Sequence, residues 1–194
     1  MADEALREQR KRAAKPMLWI GIASMAMMFA GLTSGYIVQR STLVESNSWF
    51  SFQIPTIFIY STIVMVVSSA VMMMAVRAAR SGNFSRVNIM LFLTLVLGAL
   101  FAIFQVTGWS ELIDSKIFFT GAGSEPSGSW FYVITLFHLL HVGAGLIVLL
   151  VTIIKNAMKK YTQEDYQGIE MAAIFWHFVD ILWILLFLFL AIIR

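Results

Sequence analysis

The chain has 194 residues, of which 59% are hydrophobic and 13% charged, and its mean hydropathy is +0.80. A water-soluble domain of this length cannot hide so much apolar surface, so the class is a polytopic membrane protein. With no cysteine, the chain itself supplies no disulfide, thiolate metal site, Fe–S cluster or Cys-linked haem, and a net charge of +3 reads as membrane topology, not as a nucleic-acid footprint.

The sequence predicts an all-α bundle of five transmembrane helices. Residues 1–16 form a charged, helix-favouring cytoplasmic arm, and residues 17–194 form a single membrane domain. Helix 1 is expected over about 17–38, with Pro16 suited to its first turn. This run is too long for the apolar region of a signal peptide, so it is expected to be retained. Gly31 and Gly35 give a GxxxG spacing that permits close backbone approach. A polar connection over 41–54 leads to helix 2 at about 55–76, where Ser61, Thr62, Ser68 and Ser69 can bond across helices or back to their own carbonyls. The turn Ser81-Gly82-Asn83 precedes helix 3 at about 87–106, which is expected to stop at Thr107-Gly108-Trp109. A Gly-containing loop over 110–129 precedes helix 4 at about 130–154, and a polar connection precedes helix 5 at about 171–193. The connections are short, so sequential helices are expected to be neighbours.

Charge fixes the orientation. Eleven of the 14 Lys and Arg fall in the N-terminal arm, around the 81–83 turn and in the connection after helix 4, while Arg40, Lys116 and Arg194 fall on the other side. That bias predicts N-in, C-out. No internal repeat or broken helix pair marks a transporter.

The candidate functional groups are the ionisable residues inside the spans. Glu170, His177 and Asp180 are spaced to share one side of helix 5, and His138 and His141 share one face of helix 4. His141 lies about 16 Å along helix 4 from Trp130, and Asp180 about 15 Å along helix 5 from Glu170, so both fall near the midplane. An ionised Asp there costs roughly 2.5–3.5 kcal/mol, so Asp180 needs a protein environment and a partner. One expectation is that Asp180 or Glu170 bonds a helix-4 histidine and pins the two helices together. Three chemistries fit these residues: haem b or metal ligation by His138, His141 and His177; a proton relay through Glu170, His177 and Asp180; or a structural network between helices that also serves as a docking or lipid-headgroup surface. The twelve methionines are read as adaptable packing, and Lys155, at the inner end of helix 4, is placed to meet a lipid phosphate or to act as one more positive-inside charge.

Phe137-His138-Leu139-Leu140-His141, followed by Glu170 and then Trp176-His177-Phe178-Val179-Asp180-Ile181-Leu182-Trp183, resembles subunit III of the haem–copper oxidases. Ile22-Ala23-Ser24 with Met28-Phe29-Ala30-Gly31 is similar to the family's first shared helix, and Gln105 and Glu111 match its outer loop. The resemblance runs from about Leu18 to the C-terminus. This chain is similar to the short, five-helix bacterial form, which lacks the first two of seven spans. The family often carries a glutamate directly after the Ser matching Ser24; here that place is Met25, so roles tied to that carboxylate do not transfer.

The resemblance implies a subunit with no catalytic, cofactor-binding or metal-binding residue of its own. Haems and copper would sit in partner subunits I and II of an aa-type terminal oxidase in the bacterial cytoplasmic membrane, in some cases within a larger respiratory assembly. It implies packing on subunit I, phospholipid binding with Lys155 near a headgroup, and support of proton uptake and of oxidase stability during turnover. Subunit III of a quinol oxidase and an accessory subunit of a nitric oxide reductase are alternatives within the superfamily. A small b-type cytochrome is the alternative from another class.

Overall fold

A computed structural model describes the backbone of residues 2–193 and the side chains of all of these except 2–7, 10 and 11. The described residues form five α-helices: α1 (Ala2–Glu45), α2 (Ile57–Arg80), α3 (Phe84–Asp114), α4 (Pro126–Ala157) and α5 (Gln167–Ile192). All five are long and apolar enough to cross a membrane, as the hydropathy predicts. Exposed Ile63, Val67, Phe92 and Val96 coat the outside, which suits a surface bathed in hydrocarbon rather than water.

Several helix ends lie beyond their predicted positions. α1 continues straight through Pro16 into the charged arm. Proline removes one backbone donor there, but the flanking Ala, Arg, Gln, Glu and Lys are strong helix formers, and Arg12 pairs with Glu8 one turn away at 3.6 Å. α3 runs past Thr107-Gly108-Trp109 to Asp114. Gly108 is a packing glycine rather than a stop: a Cβ there would sit 2.5 Å from the Phe58 ring of α2. The turn between α2 and α3 forms as expected, with Gly82 at φ +73°, which L side chains rarely adopt, and the Asn83 side chain capping the Arg86 amide at 3.1 Å.

Helices α2 to α5 close a ring in which each touches the next and α5 returns to α2. α1 lies outside, against α4 and α5, and does not touch α2. The expectation of sequential neighbours therefore holds for every step but the first. The eleven residues between α1 and α2 can reach roughly 40 Å, so they do not force the two helices together. The seam of α1 is Ile22, Phe29 and Tyr36, all buried at seven-residue spacing, a coiled-coil-like stripe. Gly35 lets the Trp130 ring approach, with 2.8 Å between a built Cβ and that ring, whereas Gly31 faces open space. Only half of the GxxxG pair is therefore a contact within this chain.

The core is organised by two tryptophans seven residues apart on α5. Trp176 passes between Gly98 of α3 and Gly145 of α4, where built Cβ atoms would come within 2.5 and 3.0 Å of its ring. Its indole N–H then donates to Ser68 Oγ of α2 at 3.0 Å, so one side chain joins all four helices of the ring. Two turns on, Trp183 packs its ring against Phe101 at 5.2 Å and His138 at 5.0 Å, and donates to Thr62 of α2 at 2.9 Å.

Candidate functional site

The intramembrane polar groups gather along the α2–α5 seam. The helices run antiparallel, so Thr62 meets Trp183, while Ser68 and Ser69 meet Trp176 and His177. The Ser69 hydroxyl and His177 Nδ1 lie 2.6 Å apart. Ser61 accepts a hydrogen bond from Gln105 Nε2 of α3 at 3.1 Å, and Trp109 of α3 donates to Thr135 of α4 at 3.1 Å. In hydrocarbon each such bond averages about 0.6 kcal/mol and reaches about 1.7, so the seam as a set outweighs any one member. Ser69→Ala is expected to lower stability by an amount in that range and to be non-additive with His177→Phe in a double-mutant thermal-unfolding cycle in detergent. Strict additivity of the two single changes would mean that the bond contributes nothing.

The five candidate residues do not form one network. His138 is fully buried and neither ring nitrogen has a hydrogen-bond partner. It is boxed by Phe29, Phe101 and Trp183 at centroid distances of 6.4, 5.9 and 5.0 Å. A haem reaching His138 would have to displace those rings. His141, one turn on, bonds its own helix through Nδ1 to the Phe137 carbonyl oxygen at 2.7 Å and also packs against Phe29, at 5.6 Å. Glu170 accepts from Lys15 of α1 at 2.9 Å and lies 3.9 Å from Arg80 of α2, at the end of the bundle where α1, α3 and α5 begin. Asp180 is buried. The Ser69 hydroxyl lies beside it, but that hydroxyl is held by His177, and neither Asp180 oxygen makes a hydrogen bond.

The expected bond from Asp180 or Glu170 to a helix-4 histidine is therefore not formed. The depths match, but the directions do not. Asp180 lies three residues before Trp183, roughly 60° around α5 from it, beside α2, whereas His138 stacks on Trp183 itself. Glu170 sits at the bundle end, where Lys15 meets it. Sequence reading missed that ion pair because its members are 155 positions apart. It also missed the indole bonds, although the Ser and Thr acceptors on helix 2 were visible as cross-helix candidates. Lys155 is exposed at the end of α4. Beside it, the buried Asn156 donates to the Phe84 carbonyl oxygen and to Asn88 at 3.0 and 2.8 Å, tying α4 to α3.

Two cavities flank α5. One, of about 410 Å³, opens at the basic end and is lined by Lys15, Arg77, Arg80, Glu170 and His177 with Met73, Val76, Ala173 and Ile174. The other, of about 370 Å³, lies between α1 and the farther half of α5 and is apolar apart from Thr33. Among the described residues, no three His, Cys, Asp or Glu side chains gather as a metal-binding group.

Comparison with known proteins places this architecture. The profile of the family described as cytochrome c oxidase subunit III matches residues 18–193. A probable cytochrome c oxidase subunit 3 of Nocardia farcinica is 33% identical over 176 residues, covering 87% of this chain and 82% of that protein. The cytochrome c oxidase subunit 3 of Corynebacterium diphtheriae is 30% identical over 166 residues, covering 84% and 79%. That of Spodoptera frugiperda is 35% identical over 137 residues, covering 71% and 87%. The match includes both histidine motifs, the two core tryptophans and the helices that hold them, and the chain belongs to the cytochrome c oxidase subunit III family.

Proposed function

We propose that this multi-pass subunit III is the non-redox scaffold of a bacterial aa-type terminal oxidase. It packs on subunit I of a complex that also holds subunit II, and it supports proton uptake and stability while the complex reduces O2. The observation that carries this reading is how its intramembrane polar groups are used. The serines and threonines of α2 receive indole and imidazole groups of α5, and His138 is sealed among aromatic rings, an arrangement suited to holding helices in place. Lys15, Arg77 and Arg80 share one end of the bundle, which supports an N-in, C-out orientation in the cytoplasmic membrane. Phospholipid is part of this reading, with Lys155 as a headgroup contact.

The test is purification through a tag on this chain in mild detergent, with protein identification and an optical spectrum on the same sample. The expected result is a complex with haem a bands and a copper-binding partner, and a colourless chain once it is stripped off. A chain that travels alone and keeps its own haem would overturn the reading, and haem b bands in the stripped chain would make it a small cytochrome. Reduction by a quinol, in a complex whose subunit II lacks a copper site, would move it to the quinol oxidases.

Glu170→Gln gives a further expected outcome. The Glu170 side chain is 23% exposed and that of Lys15 47%, so the pair is worth under about 1 kcal/mol. Melting of the complex should hardly change, while amide exchange in the turns of α1 around Lys15 should quicken. Unchanged exchange there would show that Glu170 does not hold α1.

A further inference from the structure

In the α2–α5 seam the indoles and the imidazole of α5 find hydroxyl partners on α2, but Asp180 does not. It is 2% exposed, and neither carboxyl oxygen makes a hydrogen bond. An ionised carboxyl in that state would be an uncompensated charge inside the membrane, which is heavily penalised. A protonated carboxyl carries no charge to desolvate. The Ser69 hydroxyl lies beside Asp180 and 2.6 Å from His177 Nδ1. His177 in turn lines the cavity of about 410 Å³ that opens at the basic end of the bundle. Three groups from two helices therefore stand in series between the cavity wall and the buried carboxyl. From Glu170 at the mouth to His177 is about 10 Å along α5, and to Asp180 about 15 Å, at 1.5 Å per residue.

We propose that Asp180 is a buried proton-binding site, filled and emptied from the cavity through His177 and Ser69. A serine hydroxyl has one proton to donate and lone pairs to accept with, so Ser69 serves Asp180 or His177 as donor, but not both at once. In the empty state the hydroxyl donates to the Asp180 carboxylate and accepts from His177 Nδ1–H. Filling takes one proton from water in the cavity onto His177 Nε2. The Nδ1 proton passes to Ser69 Oγ, and the hydroxyl proton passes to Asp180. In the filled state Asp180 is neutral, the hydroxyl donates to Nδ1, and the imidazole is neutral with its proton on Nε2. The 2.6 Å contact serves either direction. Emptying runs the steps in reverse and restores the first tautomer, so the ring never has to turn over.

The charged groups facing this route are Lys15, Arg77, Arg80 and Glu170, all lining the cavity. Three cations against one carboxylate disfavour a lasting charge on the imidazole, so His177 passes the proton on. After Asp180, α5 carries no ionisable side chain through Ile192, and the next polar group of the seam, Trp183, is committed to Thr62. The site therefore stores a proton and does not conduct one across the membrane. It depends on the membrane-spanning fold and not on the redox partners of the oxidase reading.

The test is infrared spectroscopy of the intact complex purified through this chain, transferred from H2O to D2O at neutral pH. A protonated-carboxyl band that disappears in Asp180→Asn is expected, and in the native protein it should shift as soon as D2O is mixed in. Should Asp180→Asn fail to assemble, Asp180→Glu keeps the acid and should move the band. Ser69→Ala and His177→Phe should slow the shift by about a hundredfold, the low end of what a positioned proton-transfer group supplies. Ser69→Thr keeps the hydroxyl and should exchange as the native protein does, an outcome that a purely structural role for Ser69 does not require. An ionised Asp180 in the native protein, exchange in Ser69→Ala as fast as in the native protein, or equal slowing in Ser69→Thr and Ser69→Ala would overturn the proposal. The haem spectrum and subunit composition of each sample report separately on the oxidase reading, so failure of one is not mistaken for failure of the other.

Discussion

Trp176→Ala is expected to be the most damaging single change in the chain. It removes the ring that fills the space between Gly98 and Gly145 and leaves the buried Ser68 hydroxyl without its indole donor. Large-to-small changes of buried aromatic residues cost about 3–5 kcal/mol, and the lost hydrogen bond belongs to the same event. Packing, more than water exclusion, holds helices together in a bilayer, so an empty volume at a four-helix junction is felt by all four. The expected readout is a large drop in melting temperature in detergent, with little of this subunit retained in the purified complex. Trp176→Phe keeps much of the volume and loses the N–H, so it should fall between the two. Native-like melting of Trp176→Ala would show that the ring is not the keystone described above.

The second large effect comes from adding atoms. Gly98→Val is expected to disrupt the bundle, because even the first added carbon would lie 2.5 Å from the Trp176 ring and 2.8 Å from Leu146. That ring is itself held between helices, so relief requires moving α3 or α5. Overpacking of this kind costs typically 1–3 kcal/mol and occasionally more, and the rigidity of the obstacle places Gly98 at the upper end. The same change at Gly31 meets nothing within 4 Å and should leave the melting of the isolated chain unchanged. The two variants, compared by thermal unfolding in one detergent, separate a packing glycine from an exposed one. Equal effects would mean that the Gly98 contact is not as drawn.

Much of this architecture is legible in the sequence because hydropathy reports directly on span number, and all five spans are where the apolar runs lie. The ends are less legible. A glycine that stops a helix and a glycine that admits a neighbouring ring both simply lack a Cβ, so Gly108 reads as a terminus until Phe58 is placed beside it. Pro16 reads as a start because the length of the preceding helix-forming arm does not enter a local rule. The candidate site is legible at the level of residue type. Every ionisable group singled out lies on the expected helix, and the α2 hydroxyls do bond across helices. What the sequence does not carry is azimuth. Equal depth suggests that Asp180 meets a helix-4 histidine, but rotation about α5 turns the carboxyl towards Ser69 and leaves His138 to the aromatic rings.

The placement of α1 has a consequence for the order in which the protein is made. Gln39 receives its indole donor from Trp130, 91 positions later; Lys15 finds Glu170 after 155, and Tyr36 finds the carbonyl oxygen of Ile193 after 157. At about 5–20 residues per second of synthesis, the first helix into the bilayer waits roughly 5–20 seconds for its first lasting neighbour and longer for the rest. During that interval α2 and α3, joined by a three-residue turn, can already pair. The outrigger is therefore made first and docked late, after the first ring helices have already paired. A chain truncated before α4 would leave α1 without either helix it packs on, its aromatic seam facing lipid, a form suited to capture by membrane quality control.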